Sequence, residues 1–147
     1  MAIYSLIAAK KVCQTRDWAV TNLEINKILY LAHMAMLGRS DGTSPLVTEN
    51  FQAWDYGPVL PSVYHRTKAF GNSYVQDVFH AFPTINGTVE ADIIEEAVGA
   101  LANMRPGQLI ANTHWKGGAW AKFYRAGARG IIIPNDAILE EYRERVS

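Results

Sequence analysis

His114, in the run Thr113-His114-Trp115-Lys116-Gly117-Gly118-Ala119-Trp120, is the polar residue best placed in this chain to do chemistry. A histidine at the end of a short helix, followed by glycines and a tryptophan, could act as a general base or contact a ligand, because its charge changes near neutral pH. The structural alternative carries more weight: a ring that hydrogen-bonds backbone or a carboxylate and holds the corner together. The second distinctive stretch is Phe51-Gln52-Ala53-Trp54-Asp55-Tyr56-Gly57-Pro58-Val59-Leu60-Pro61. At the two-residue period of a strand, Trp54 and Tyr56 fall on one face. Gly57 can take backbone angles closed to other residues, and Pro58 lacks an N–H and fixes φ near the helical value. The pair is therefore expected to stop the strand and open a helix, presenting two rings beside a rigid corner.

Other chemistries lack their signatures. The four histidines, His33, His65, His80 and His114, are too far apart in sequence for a local metal-ligand motif, and Cys13 is the only cysteine. No metal or cofactor is expected. There is no Gly-x-Ser-x-Gly elbow, and neither Gly117-Gly118 nor the Gly127 and Gly130 stretch has the spacing of a phosphate-binding loop. Cys13 lies in an apolar helical pattern and reads as a small buried hydrophobe. No catalytic residue is assigned. Aromatic residues gathered on irregular backbone favour recognition, since Tyr and Trp bury much area at small entropic cost. Trp54, Tyr56, Gly57, Pro58, His114 and Trp120 are thus candidate binding residues.

The elements that must position them follow from periodicity. A first helix is expected over residues 3–16, with Ile3, Leu6, Ile7 and Cys13 inward. Thr21-Asn22-Leu23-Glu24 has the spacing of a capping box, and the run that follows is apolar on almost every side, so the second helix should be central, with Gly38 as its C-terminal stop. A strand is expected over residues 47–56, and a short helix after Pro58 ends near Gly71. Residues 72–87 show no sustained period. Thr88 caps another helix whose inward stripe is Val89, Ile93, Ile94, Ala97, Val98, Leu101 and Met104, with acidic residues favourably placed in its first turn. Short helices over residues 106–114 and 119–125, a buried strand over residues 130–134, and a last helix using Ile138, Leu139, Tyr142 and Val146 complete the chain. The fold class is mostly α with a small antiparallel β-sheet, in a single domain over residues 1–147.

Composition bounds the partners. Fourteen Lys and Arg balance fourteen Asp and Glu with no run of like charge, which argues against non-specific nucleic-acid binding. The apolar run over residues 25–37 is too short for the roughly twenty residues of a membrane helix. The first residues lack the charge order of a signal peptide, and a single cysteine suits a reducing compartment, so the cytoplasm is expected.

Ile25-Asn26-Lys27-Ile28-Leu29-Tyr30-Leu31-Ala32-His33, then residues 51–61, then His114 and Trp120 resemble, in order and spacing, the SocA-like antitoxin family, or Panacea domain, whose members include phage-associated proteins. The Ala-Trp-x-Tyr-Gly-Pro-Val core of that family stands here as Ala53 to Val59. The resemblance implies a mostly helical, bacterial or phage cytoplasmic protein that binds and neutralises a cognate protein toxin. In at least one family member this includes acting as an adaptor that hands the toxin to an ATP-dependent protease. Near His114 the chain departs from the family, with Trp115 and Lys116 in place of a polar or acidic residue and Ala119 in place of a proline. The competing expectation is a hydrolase using His114 with Tyr56 or Asp55 on a modification made by a toxin.

Overall fold

The computed structural model describes residues 1–104 and 106–146. Its organising element is α2 (Asn22–Arg39), which starts as the sequence predicts: the Thr21 hydroxyl accepts from the Glu24 amide at 3.3 Å while the Glu24 carboxylate accepts from the Thr21 amide at 2.9 Å. The helix is apolar on most sides because it is covered on most sides. Around it lie α1 (Ser5–Thr15), α3 (Pro61–Thr67), α4 (Val89–Leu101), α5 (Pro106–Thr113) and α7 (Asn135–Val146). Ile25, Ile28, Leu29, Tyr30 and Ala32 are fully buried, as expected of such a central helix.

Gly38 is not the stop of this helix. It lies inside α2, and a Cβ there would stand 2.3 Å from the Tyr142 ring, so the missing side chain makes room for α7. The chain turns instead at Asp41 and Gly42, both with positive φ, where the Gly42 amide donates to the Leu37 carbonyl at 2.8 Å.

A three-stranded antiparallel sheet, ordered β2-β1-β3, covers one side of the helices: β1 (Phe51–Trp54), β2 (Gly57–Val59) and β3 (Ile132–Ile133). Two expectations are corrected here. The strand ends at Trp54 rather than Tyr56, and Gly57-Pro58 does not open a helix but begins a second strand, with Trp54 opposite Gly57 and Ala53 opposite Pro58. Pro58 is tolerated because β2 is an edge strand and needs no donor on its outer side. The helix-starting proline is Pro61, the first residue of α3. In β3 only Ile133 is buried, while Ile132 faces outward.

Further differences are local. Ile3 precedes α1 and forms a parallel bridge with Val47. Helix α1 lacks a side-chain cap of its own, and the Glu49 carboxylate takes that role, accepting from the Ser5 amide at 3.0 Å and the Ser5 hydroxyl at 2.5 Å. Val89 and Val146 are exposed rather than inward, being at the first and last turns of their helices. Helices α5 and α6 (Ala119–Phe123) stop one and two residues short of the expected ends. Residues 72–87 carry no helix or strand but are pinned. Val75 and Phe79 are buried, Lys10 Nζ donates to the Phe82 carbonyl at 2.6 Å, and Lys11 Nζ donates to Asn86 Oδ1 at 2.9 Å. Cys13 is fully buried as expected, and burial, helped by Asp77, pushes its thiol up to about 12.

His33 gives this core a pH dependence. It is fully buried in α2, its Nδ1 accepts from the Val47 amide at 3.3 Å, and its Nε2 lies 2.8 Å from Asn135 Oδ1, an arrangement that fits the neutral Nε2–H tautomer. Burial pulls its pKa down to about 4, against the weaker opposing effect of the Asn135 bond. Between pH 6.5 and about 4 the unfolded chain binds a proton that the folded chain does not, so the contribution is complete above pH 6.5 and is lost as pH falls towards 4. Denaturant unfolding at pH 7 and 4.5 should show a loss of about 2 kcal/mol that is absent in His33→Gln.

Candidate functional site

The turn joining β1 to β2 is fastened from below by two adjacent polar residues of α2. Asn26, fully buried, donates from Nδ2 to the Asn22 carbonyl one helical turn back at 2.9 Å and accepts the Leu60 amide on Oδ1 at 2.8 Å. Lys27 is buried beside it, and its Nζ donates to the Tyr56 carbonyl at 2.7 Å. Taking the ammonium out of water pulls its pKa down to about 8, against the pull of Glu24 in the other direction. Between them these residues satisfy one acceptor at the turn and one donor just past β2, polar groups that burial would otherwise leave unpaired.

From the side the turn meets a column of three rings. His114 stacks on Trp120 at 3.9 Å with 12° between planes, and Trp120 stacks on Tyr124 at 4.5 Å and 19°. Trp120 Nε1 donates to the Trp54 carbonyl at 2.8 Å, and the Tyr124 hydroxyl donates to Asp55 Oδ1 at 2.5 Å. Gly57 fills the gap between column and helix with φ +109°, and a Cβ there would stand 2.9 Å from His114 Nε2 and 3.6 Å from Lys27 Nζ. His114 therefore sits on the turn itself. Burial, then Lys27, lowers its pKa, while the nearby Tyr56 backbone opposes the shift, and Nε2 makes no close hydrogen bond.

The column is held in turn by Glu141 of α7, a residue that sequence reasoning missed. Its buried carboxylate accepts from the Tyr30 hydroxyl at 2.9 Å, the Ala119 amide at 2.8 Å and Arg145 Nε at 2.8 Å. Arg145 also bonds Asn112 of α5 and lies over the Trp115 ring at 5.1 Å. Burial and the neighbouring carboxylate push the Tyr30 phenol up. Gly118 lets this happen, since a Cβ there would stand 2.6 Å from Glu141 Oε1.

The structure brings Trp54, Tyr56, Gly57, Pro58, His114 and Trp120 into one constellation. It does not put Trp54 and Tyr56 on one face. Trp54 is buried, edge-on to Tyr64 at 5.0 Å and covered by the Arg129 guanidinium at 4.4 Å, whereas Tyr56 sits in the turn with 48% of its surface exposed. His114 is a corner residue through stacking rather than through a carboxylate. Asp55 is engaged by Tyr124, and Tyr56 offers His114 its backbone rather than its phenol. Among the described residues no group of three or more His, Cys, Asp or Glu side chains is arranged to hold a metal, and no helix is long and apolar enough to cross a membrane. The arrangement is a hairpin turn fastened from below by α2 and from the side by the ring column.

The chain is 34% identical over 114 residues to the antitoxin SocA of Caulobacter vibrioides (strain NA1000 / CB15N), an alignment covering 71% of this chain and 60% of that relative's length. No solved structure matches. The profile described as "Antitoxin SocA-like, Panacea domain" matches residues 25–121, which run from the first turn of α2 through the clamped hairpin to Trp120, and the chain belongs to that family.

Proposed function

We propose that this protein is an antitoxin that neutralises a cognate protein toxin by stoichiometric complex formation in the cytoplasm, without catalysis of its own. The observation that carries this reading is the hairpin turn: its backbone is fastened by Lys27 and Trp120 while the Tyr56 side chain stays half exposed. A fixed aromatic at an exposed tip loses little entropy on binding, which is what an interface anchor needs. Nucleic acid is disfavoured as a partner by the chain's zero formal charge.

Co-expression with the neighbouring open reading frame, followed by affinity capture and mass measurement, tests the proposal. Relief of growth inhibition with a stoichiometric complex is the expected result, and a toxin left active by excess antitoxin with no complex would overturn it. Tyr56→Ala should weaken the complex at least tenfold, about 1.4 kcal/mol or more, while changing stability by less than about 0.5 kcal/mol. Protection accompanied by a shortened toxin half-life would extend the reading to delivery to an ATP-dependent protease. Protection at substoichiometric amounts, abolished in a folded His114→Ala protein, would replace it with the hydrolase.

A further inference from the structure

Beside the recognition turn, Tyr56, Tyr64, Leu23, Asn22 and Lys68 line a surface depression of about 160 Å³. Two features mark it. The first is charge. Lys68 is exposed one helical turn beyond Tyr64, and Arg129 lies 6.0 Å from the centre of the Tyr64 ring, so two cations flank one aromatic, and neither forms an ion pair among the described residues. Two carboxylates stand nearby, Asp55 in the turn, which accepts from the Tyr124 hydroxyl, and Glu24 beside Leu23, which accepts from the Thr21 amide, but neither forms an ion pair with Lys68 or Arg129 among the described residues. The second is aromatic surface. Trp54, Tyr64 and His65 pack edge to face, and Tyr56 stands half exposed at the rim.

We infer that this depression receives an acidic segment of the partner protein, one whose Asp or Glu residues meet Lys68 and Arg129 while a neighbouring aromatic or leucine side chain enters between Tyr56 and Tyr64. The inference rests on the antitoxin reading only for the identity of the partner; the chemistry of the segment follows from the surface. Flanking cations select the carboxylates and quicken encounter, and the rings supply the apolar anchor.

Selection of short random peptides on the intact protein tests this without knowledge of the toxin. The expected enrichment is of sequences carrying Asp or Glu within a few residues of an aromatic or leucine. Their affinity should fall about tenfold or more in Lys68→Glu/Arg129→Glu and by an intermediate amount in Lys68→Gln/Arg129→Gln. It should also weaken as salt rises from about 50 to about 300 mM. No enrichment, or enriched peptides indifferent to both double variants, would overturn the assignment. So would peptides that keep full affinity for both but lose it in Ala35→Glu, which fills the separate groove lined by Leu31 and Ala35 of α2 and Ile93 and Ala97 of α4. The two readings fail separately. A toxin captured equally well by the charge-reversed protein would remove this surface and leave the antitoxin, whereas acidic peptides that bind as expected beside a toxin that forms no complex would keep the surface and remove the antitoxin.

Discussion

Replacing Glu141 with alanine should destabilise the protein by about 3–5 kcal/mol, lowering the thermal midpoint by roughly 10–15 °C in a chain of this size. The carboxylate is 2% exposed and answers three donors, the Tyr30 hydroxyl, the Ala119 amide and the Arg145 side chain. Its removal leaves a guanidinium that is itself only 19% exposed without its counter-ion, and two buried donors without an acceptor. Against a typical total stability of about 5–15 kcal/mol, that is a large fraction. The effect should be structural before it is functional. Because Glu141 holds the start of α6, the Trp120 ring should lose its ordered stack with His114, visible as a weakened near-ultraviolet circular dichroism signal at temperatures where the helices persist. Removing both charges in Glu141→Leu/Arg145→Met should cost less than Glu141→Ala, since a buried pair replaced by apolar groups of similar volume leaves no orphaned charge. An alanine variant within about 1 kcal/mol of the parent would show that the network contributes little.

Glu141 also shows why sequence reading stopped where it did. A glutamate in the last helix, followed four residues later by Arg145, has the pattern of an exposed ion pair, and its buried partners come from α2 and the start of α6, 111 and 22 residues away. Local rules worked where the physics was local. The Thr21 capping box and the Thr88 cap were legible because each interaction closes within one turn. They failed where distant chain intervened. Gly38 resembles a helix stop until Tyr142 occupies the space its missing Cβ leaves, and no pattern around Ser5 announces that Glu49 will cap α1.

The candidate site divides in the same way. Its aromatic and glycine-rich segments stand out in the sequence, and the structure joins them. The residues that lock them together, Asn26 and Lys27, read as interruptions of an apolar helix. That interruption was the available signal: two adjacent polar residues in a helix buried on nearly every side must find partners inside, and the nearest unpaired backbone groups belong to the hairpin. The strand misreading arose from the same hairpin. Gly57-Pro58 has the composition of a strand end, yet an edge strand accepts a proline and a tight turn needs a positive φ, so both residues fit β2 as well.

Gly57 joins the fold to the proposed binding surface most directly, and Gly57→Ala should be the most damaging single change within the turn. Two independent costs add. An alanine must hold φ near +109°, outside the ordinary range of L-residues, at about 1–3 kcal/mol, and its Cβ would lie 2.9 Å from His114 Nε2, an overpacking that costs a further 1–3 kcal/mol or so. Relief by moving the His114 ring would break the stack on Trp120, whose Nε1 holds the Trp54 carbonyl at the other end of the turn. The tip carrying Tyr56 would then lose its fixed position, so partner affinity should fall by about a hundredfold, more than Tyr56→Ala alone, with stability reduced by about 2–5 kcal/mol. Gly57→Ala/His114→Ala separates the two costs. Deleting the ring removes the contact but not the backbone strain, so part of the stability should return while affinity stays low. Gly57→Ala with parental stability and parental affinity would show that the turn does not depend on its glycine, and that a rigid backbone beneath Tyr56 is not what the partner requires.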